Sequence, residues 1–108
     1  MIKIHNKLVR DNIPAIIEES GKKAKYRVLD QNEYKQALKE KLLEEVNEFL
    51  AAKTPTEMGE EIADIEEVVS CLCLAFNITN SYDVRMAKLK SRGSFQKRYF
   101  LESVRVDE

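Results

Sequence analysis

The sequence is poor in the residues on which several common kinds of active site depend. Its three glycines form no glycine-rich loop, which excludes P-loop and dinucleotide-binding chemistry. His5 is the only histidine, which argues against a Ser-His or Cys-His nucleophile. Cys71 and Cys73, the two cysteines, stand two residues apart in a predicted helix. Their side chains should diverge, so we expect ordinary packing rather than a disulfide or a zinc site.

Long apolar runs and linker-like segments are also missing. No segment approaches the roughly 20 apolar residues that a membrane-spanning helix needs. The first eleven residues, MIKIHNKLVRD, carry charges where a signal peptide has its apolar stretch. We therefore expect a cytoplasmic protein without membrane association. The absence of repeats and of Pro/Gly-rich linkers predicts that residues 1–108 form a single domain.

The formal charge of -1 hides a strong polarity along the chain. Residues 44–67 carry nine acids and one base, whereas residues 85–105 carry seven bases and one acid. The first segment is suited to cations and the second to anions. The basic segment is short and the net charge is negative, so nucleic acid is not an expected partner.

Apolar residues at spacings of three and four predict an all-α protein. Pro14 suits the first turn of a short helix that Gly21 ends. Asp30 and Glu33 form a capping box at the start of a long helix that runs to about Ala52.

A second capping box, residues 54–57, begins another long helix that runs to about Asn77. Asn80 or Ser81 caps a further helix that Gly93 ends. Outside the helices, residues 24–29 are expected to form a short strand or an extended segment. The last residues, 94–106, read as an extended tail with some alternation.

The two long helices place acids where apolar side chains are expected. At about 100° per residue, Glu45 lies in the same sector as Phe49, with Glu48 at its edge. On the next helix Glu61 lies within the apolar stripe, and Asp64 follows three residues later. The connection is short, so the helices should be antiparallel neighbours with both acid pairs at nearly the same level.

Four carboxylates in a partly desolvated site would repel one another, and buried charges need a counter-charge. Only two lysines, Lys41 and Lys53, lie where they could pair with these acids. A hard divalent cation, Mg²⁺ or Mn²⁺, is the better partner because it prefers oxygen ligands. Spacing alone leaves open that the four acids are ordinary charges on helix surfaces.

Residues 44–48, EEVNE, and residues 61–64, EIAD, resemble the EExxE…ExxD signature of the all-α nucleoside triphosphate pyrophosphohydrolases, the MazG-like superfamily. The segments NKLVRDNIPAII and KLKSRGSF resemble the branch labelled phosphoribosyl-ATP pyrophosphohydrolase-like. The resemblance implies an antiparallel helical bundle completed as a homodimer or homotetramer. It also implies Mg²⁺-dependent cleavage of a nucleoside triphosphate between the α and β phosphates, which gives a monophosphate and pyrophosphate.

Matched by position, the metal ligands implied by the resemblance are Glu45, Glu48, Glu61 and Asp64. Glu44 matches the leading acid of the motif. The resemblance implies that it either supports the metal ligands from behind or acts as the base that activates water. The water-activating base is otherwise Glu45 or Glu48. The resemblance places phosphate-binding cations at Lys88 and Arg92, and the spacing of Lys7 and Arg10 makes them further candidates.

Other functions remain open from the sequence. The substrate is an unwanted or modified triphosphate, or it is phosphoribosyl-ATP. A different class of protein, a catalytically silent helical module that binds metal or a protein partner, also fits a chain of charged helices. An antitoxin-like or regulatory partner is a third possibility, which a large exposed apolar patch would favour.

Overall fold

A computed structural model describes residues 1–106 of the protein. Over that range the chain is all-α, with four helices and no strand, which confirms the all-α part of the predicted fold. The helical bundle and its completion by oligomerisation stay predictions. The helices are α1 (Ile13–Glu19), α2 (Gln31–Ala51), α3 (Pro55–Ala75) and α4 (Ser81–Arg92).

The start of α2 is the predicted capping box. The Asp30 carboxylate accepts a hydrogen bond of 2.9 Å from the backbone N–H of Glu33, and the Glu33 carboxylate accepts one of 3.4 Å from the backbone N–H of Asp30. Arg27 clamps the same Glu33 carboxylate at 2.7 and 3.1 Å. The hydrogen bond from Arg27 is the main reason that the pKa of Glu33 falls to about 2.

The start of α3 is only half of a capping box. The Thr54 hydroxyl accepts a hydrogen bond of 3.2 Å from the backbone N–H of Glu57, and Pro55 occupies the first turn. The Glu57 carboxylate, however, accepts from the backbone N–H of Lys53 at 3.2 Å. In the predicted capping box the Glu57 carboxylate would accept from the backbone N–H of Thr54. It accepts instead from the residue before, Lys53. The helix ends at Ala75, two residues before the predicted end.

Helices α2 and α3 form an antiparallel hairpin across a three-residue connection, residues 52–54. Their interface is the only extensive helix–helix packing in the described part of the chain. Within residues 1–106 it contains the three residues that are buried: Leu38, 2% exposed, Val68, 8% exposed, and Glu45, 5% exposed. The hairpin thus buries one carboxylate for every two apolar side chains.

The other predicted elements agree in part. Gly21 and Gly93, with φ of 89° and 82°, follow α1 and α4 as expected of helix-ending glycines. Asn80 precedes α4 but makes no side-chain capping bond. The strand alternative for residues 24–29 is wrong, because the structure has no strand in this segment or anywhere else among residues 1–106. Residues 99–106 are an irregular tail that follows a turn.

The described chain is elongated, with extents of 68 × 34 × 24 Å and a radius of gyration of 19.3 Å. A compact domain of this length has a radius near 13 Å. The accessible surface is 10443 Å², against about 6,200 Å² for a compact monomer of this mass. A large apolar surface therefore stays uncovered by the chain itself.

Both thiols are free and half-buried. No helix among residues 1–106 combines the length and apolar character needed to cross a membrane. Whether the whole chain is a single domain stays a prediction.

Candidate functional site

The acids of α2 and α3 meet at the buried interface of the hairpin. Glu45, Glu61 and Asp64 each offer a carboxylate oxygen within 4.8 Å of the others. A second group at the same distance joins Glu45 to Glu44 and Glu48. Glu45 belongs to both groups, so the five carboxylates form one cluster with Glu45 at its centre.

Glu45 owes its position to the helical period of α2, which places it two turns after buried Leu38. Its Oε1 lies 3.3 Å from the Nζ of Lys41, one turn earlier. Its Oε2 is buried and has no hydrogen-bond partner. An unpaired buried carboxylate oxygen costs about 1–3 kcal/mol, so the folded chain holds a destabilising group at the centre of the cluster.

Glu61 faces Glu45 from α3 and has the same defect, a buried Oε2 without a partner. Its pKa is raised to about 7, first by desolvation, then by the hydrogen bonds that a protonated Glu61 makes to Glu45 and Glu48, and by the charges of these two residues. The two buried oxygens are therefore without a partner when Glu61 is ionised. Because Glu48 of α2 interacts with Glu61, Glu48 belongs to the same cluster, although the Glu48 side chain is exposed. Glu61 therefore binds a proton more readily than an ordinary glutamate, as expected where carboxylates crowd together.

Among residues 1–106, three cationic side chains pair with acids of the cluster. Lys41 Nζ lies 3.2 Å from Glu44 and 3.3 Å from Glu45, and its hydrogen bonds to them outweigh desolvation and raise its pKa. From the N-terminal segment, Lys7 lies 3.5 Å from Glu44, and Arg10 donates a 2.6 Å hydrogen bond to Asp64.

The cluster fits a divalent cation. The cluster has five acids and only three bases beside it. The bases pair with Glu44, with Asp64 and with Oε1 of Glu45. The two deepest oxygens stay unpaired. Oxygens on opposite sides of Mg²⁺ lie about 4.2 Å apart, given bonds of about 2.1 Å. A spacing within 4.8 Å therefore needs only small rotations of the side chains.

Lys88 and Arg92, the other predicted phosphate-binding residues, lie apart from the cluster. Both are on α4, which packs extensively on neither α2 nor α3. Both are exposed, and neither makes an ion pair with any residue in the range 1–106. The structure brings Lys7 and Arg10 to the carboxylates and leaves these two residues outside.

The sequence identified Lys41 as a lysine near the acids but not as a site residue, although its spacing of three and four residues from Glu44 and Glu45 is the ordinary signal for ion pairs on a helix. The contacts of Lys7 and Arg10 with acids 37 and 54 residues away had no such local signal.

Comparison with known proteins adds no relative: no family model, no curated protein and no solved structure matches the chain. The function must therefore be inferred from the residues and their geometry.

Proposed function

We propose that the protein is a Mg²⁺-dependent nucleoside triphosphate pyrophosphohydrolase of the MazG-like type, acting on cytoplasmic nucleotides and removing unwanted ones. Mn²⁺ is expected to replace Mg²⁺. The reaction adds water across the α–β phosphoanhydride and yields a nucleoside monophosphate and pyrophosphate.

The observation that carries the proposal is the orphaned pair of buried oxygens, Glu45 Oε2 and Glu61 Oε2, on facing helices. A folded chain rarely keeps buried acceptors without a partner, and such groups call for a specific explanation. A carboxylate cluster of this kind is explained by a cation that binds there and removes both the repulsion and the missing bonds.

Each part of the site has a role in this reaction. Glu45, Glu48, Glu61 and Asp64 would hold the cation. The bound ion supplies charge neutralisation for the triphosphate and a more acidic water. Glu44, the acid of the cluster that is not assigned to the cation, would orient the attacking water and take its proton.

Cationic side chains complete the site by binding phosphate oxygens. Lys7 and Arg10 already lie beside the carboxylates. Lys88 and Arg92 lie on the basic helix α4, and a second copy of the chain would bring them to the substrate.

The surface of the chain supports a homodimer or homotetramer. The excess over a compact monomer is about 4,000 Å² per chain, or about 8,000 Å² for two chains, which is more than the roughly 2,000–5,000 Å² of total surface that an obligate dimer commonly buries. Part of this surface is the outer face of α3, where Ile62 and Val69 are 45% and 43% exposed. Val69 also lines an open groove that extends to Ser81 at the start of α4.

The test is pyrophosphate release from a panel of normal and modified nucleoside triphosphates, phosphoribosyl-ATP included, with Mg²⁺ or Mn²⁺. Glu48→Gln and Asp64→Asn should abolish a metal-dependent release that the wild type shows. Glu60→Gln is the matched control, because Glu60 is an exposed acid of α3 outside the cluster. Equal release by all four proteins would reject the proposed site.

One observation favours a second candidate, the silent helical module. Lys7, Arg10 and Lys41 already neutralise part of the cluster. If these ion pairs were the whole purpose of the acids, the protein would be a helical scaffold that turns over no triphosphate. A folded wild-type protein that is inactive on the whole panel and is not stabilised by Mg²⁺ would support this candidate.

A further inference from the structure

Two ion pairs fasten the N-terminal segment, residues 7–10, to the carboxylate cluster. Arg10 Nη2 donates to Asp64 Oδ1 at 2.6 Å, and Lys7 Nζ lies 3.5 Å from Glu44 Oε1. The two contacts reach different helices, Glu44 on α2 and Asp64 on α3. The segment thus bridges α2 and α3 at the level of the proposed cation site.

Little besides these charges holds the segment in place. Residues 1–10 form no regular secondary structure, and among them only Leu8 is half-buried. The Arg10 side chain is 57% exposed and that of Asp64 is 37% exposed. An ion pair this open is weak and is readily exchanged for another partner. The segment is therefore held by contacts that a competing cation can replace.

We propose that Arg10 is an internal counter-cation that occupies Asp64 until a divalent cation binds, and that it then transfers to the phosphates of the ligand. The proposal rests on the proposed function, because it assigns Asp64 to a cation site. It gives Arg10 two successive anionic partners, first Asp64 and then phosphate.

The exchange follows from the charges. A divalent ion on Glu45, Glu61 and Asp64 would lie close to the Arg10 guanidinium, since both would share one carboxylate. Like charges at that distance repel, and the ion is the stronger competitor because it carries twice the charge. Arg10, once released, is a planar donor suited to a bidentate contact with phosphate.

A different role for Arg10 predicts the opposite result. If Arg10 only held Asp64 in the geometry that the cation needs, its removal would weaken cation binding. If Arg10 competes with the cation, its removal strengthens cation binding. The sign of the change therefore separates a competing cation from a supporting one.

The experiment measures Mn²⁺ binding to the full chain by loss of the free-ion electron paramagnetic resonance signal. Arg10→Gln should bind Mn²⁺ about two- to five-fold more tightly than the wild type, the range for release of an exposed ion pair. Arg10→Lys, which keeps the charge, should stay close to the wild type.

The matched control is Arg27→Gln. Arg27 also pairs with a glutamate of α2, Glu33, at 2.7 Å and with similar exposure. Glu33 lies 12 residues before Glu45, about 18 Å along the helix. Loss of this pair should leave the Mn²⁺ affinity unchanged.

A second experiment measures the binding of inorganic tripolyphosphate, a probe for the phosphate groups of the ligand, in the presence of saturating Mg²⁺. Arg10→Gln should bind it about ten-fold more weakly, although it binds the bare ion more tightly. A merely structural loss would weaken both ligands together. Opposite changes for the two ligands are therefore the signature of the exchange.

The outcomes distinguish failure of this inference from failure of the proposed function. If the wild type binds no Mn²⁺, or if Glu45→Gln binds as well as the wild type, the proposed function fails and the role of Arg10 fails with it. If binding depends on Glu45 but Arg10→Gln binds Mn²⁺ equally or more weakly, the role of Arg10 alone is overturned.

Discussion

Glu45→Gln should stabilise the protein in the absence of metal while removing its response to Mg²⁺. The substitution keeps the shape of the side chain and removes the buried charge. The new amide can donate a hydrogen bond to the carboxyl groups that face it, which the glutamate cannot do when ionised. A side chain kept for function is expected to cost stability, and its replacement to recover that cost.

The magnitude follows from the two contacts of the carboxylate. Relief of the unpaired Oε2 should return about 1–3 kcal/mol. Loss of the 3.3 Å pair with Lys41 should cost about 0.2–1 kcal/mol, and Lys41 keeps Glu44 as a partner. The expected net gain is about 1 kcal/mol, or roughly 4–8 °C in Tm for a domain of this size.

The assay is thermal unfolding at a fixed protein concentration, with EDTA and then with Mg²⁺. The wild type should gain stability with Mg²⁺, whereas Glu45→Gln should begin higher and gain nothing. Glu60→Gln, on an exposed face of α3, should match the wild type under both conditions. A Glu45→Gln protein less stable than the wild type in EDTA would refute the reasoning, because the carboxylate would then be a stabilising partner of Lys41.

Three further predictions follow from individual side chains. Because the pKa of Glu61 is about 7 in the folded protein and 4.5 ordinarily, the folded state binds more protons between these values, so metal-free stability should fall as pH rises through that window. Thermal melts from pH 4 to 8 test this, and an unchanged slope in Glu61→Gln would contradict it. Val69→Asp, on the exposed face of α3, should convert a dimer or tetramer to a 12.5 kDa monomer in light scattering, and a wild-type monomer would contradict the oligomer. Lys88→Ala and Arg92→Ala should each raise KM about ten-fold or more without changing Tm, since both side chains are exposed; unchanged KM would remove them from the substrate site.

The sequence was sufficient to predict the hairpin because its signals are local. Asp30 and Glu33 are three residues apart, as a capping box requires, and the structure contains that box. Thr54 caps α3 as expected, yet the Glu57 carboxylate bonds to Lys53 instead of Thr54. A competing backbone donor one residue away is a detail of side-chain geometry that spacing does not determine.

The centre of the cluster was predictable for a related reason. Helical period and a short connection place Glu45 and Glu61 at one level, and the structure brings their carboxylates together. The roles assigned to these residues remain predictions. The contacts of Arg10 were not predictable, because an irregular N-terminal segment has no period that would place it against α3.

The tertiary packing of α4 could not be predicted from the sequence, for a physical reason. Its amphipathic pattern predicts a helix but does not say which surface covers it. The described chain offers α4 no extensive partner, so Lys88 and Arg92 stay apart from the acids. In the proposed oligomer a second chain covers them, and a single sequence carries little information about contacts between chains.

The most direct test of the proposed reaction is ³¹P nuclear magnetic resonance of a nucleoside triphosphate incubated with the protein and Mg²⁺. We expect the substrate resonances to be replaced by those of a nucleoside monophosphate and pyrophosphate, and by neither product when Glu48→Gln replaces the wild type. A nucleoside diphosphate with inorganic phosphate, or an unchanged spectrum for every triphosphate of the panel, would contradict cleavage between the α and β phosphates.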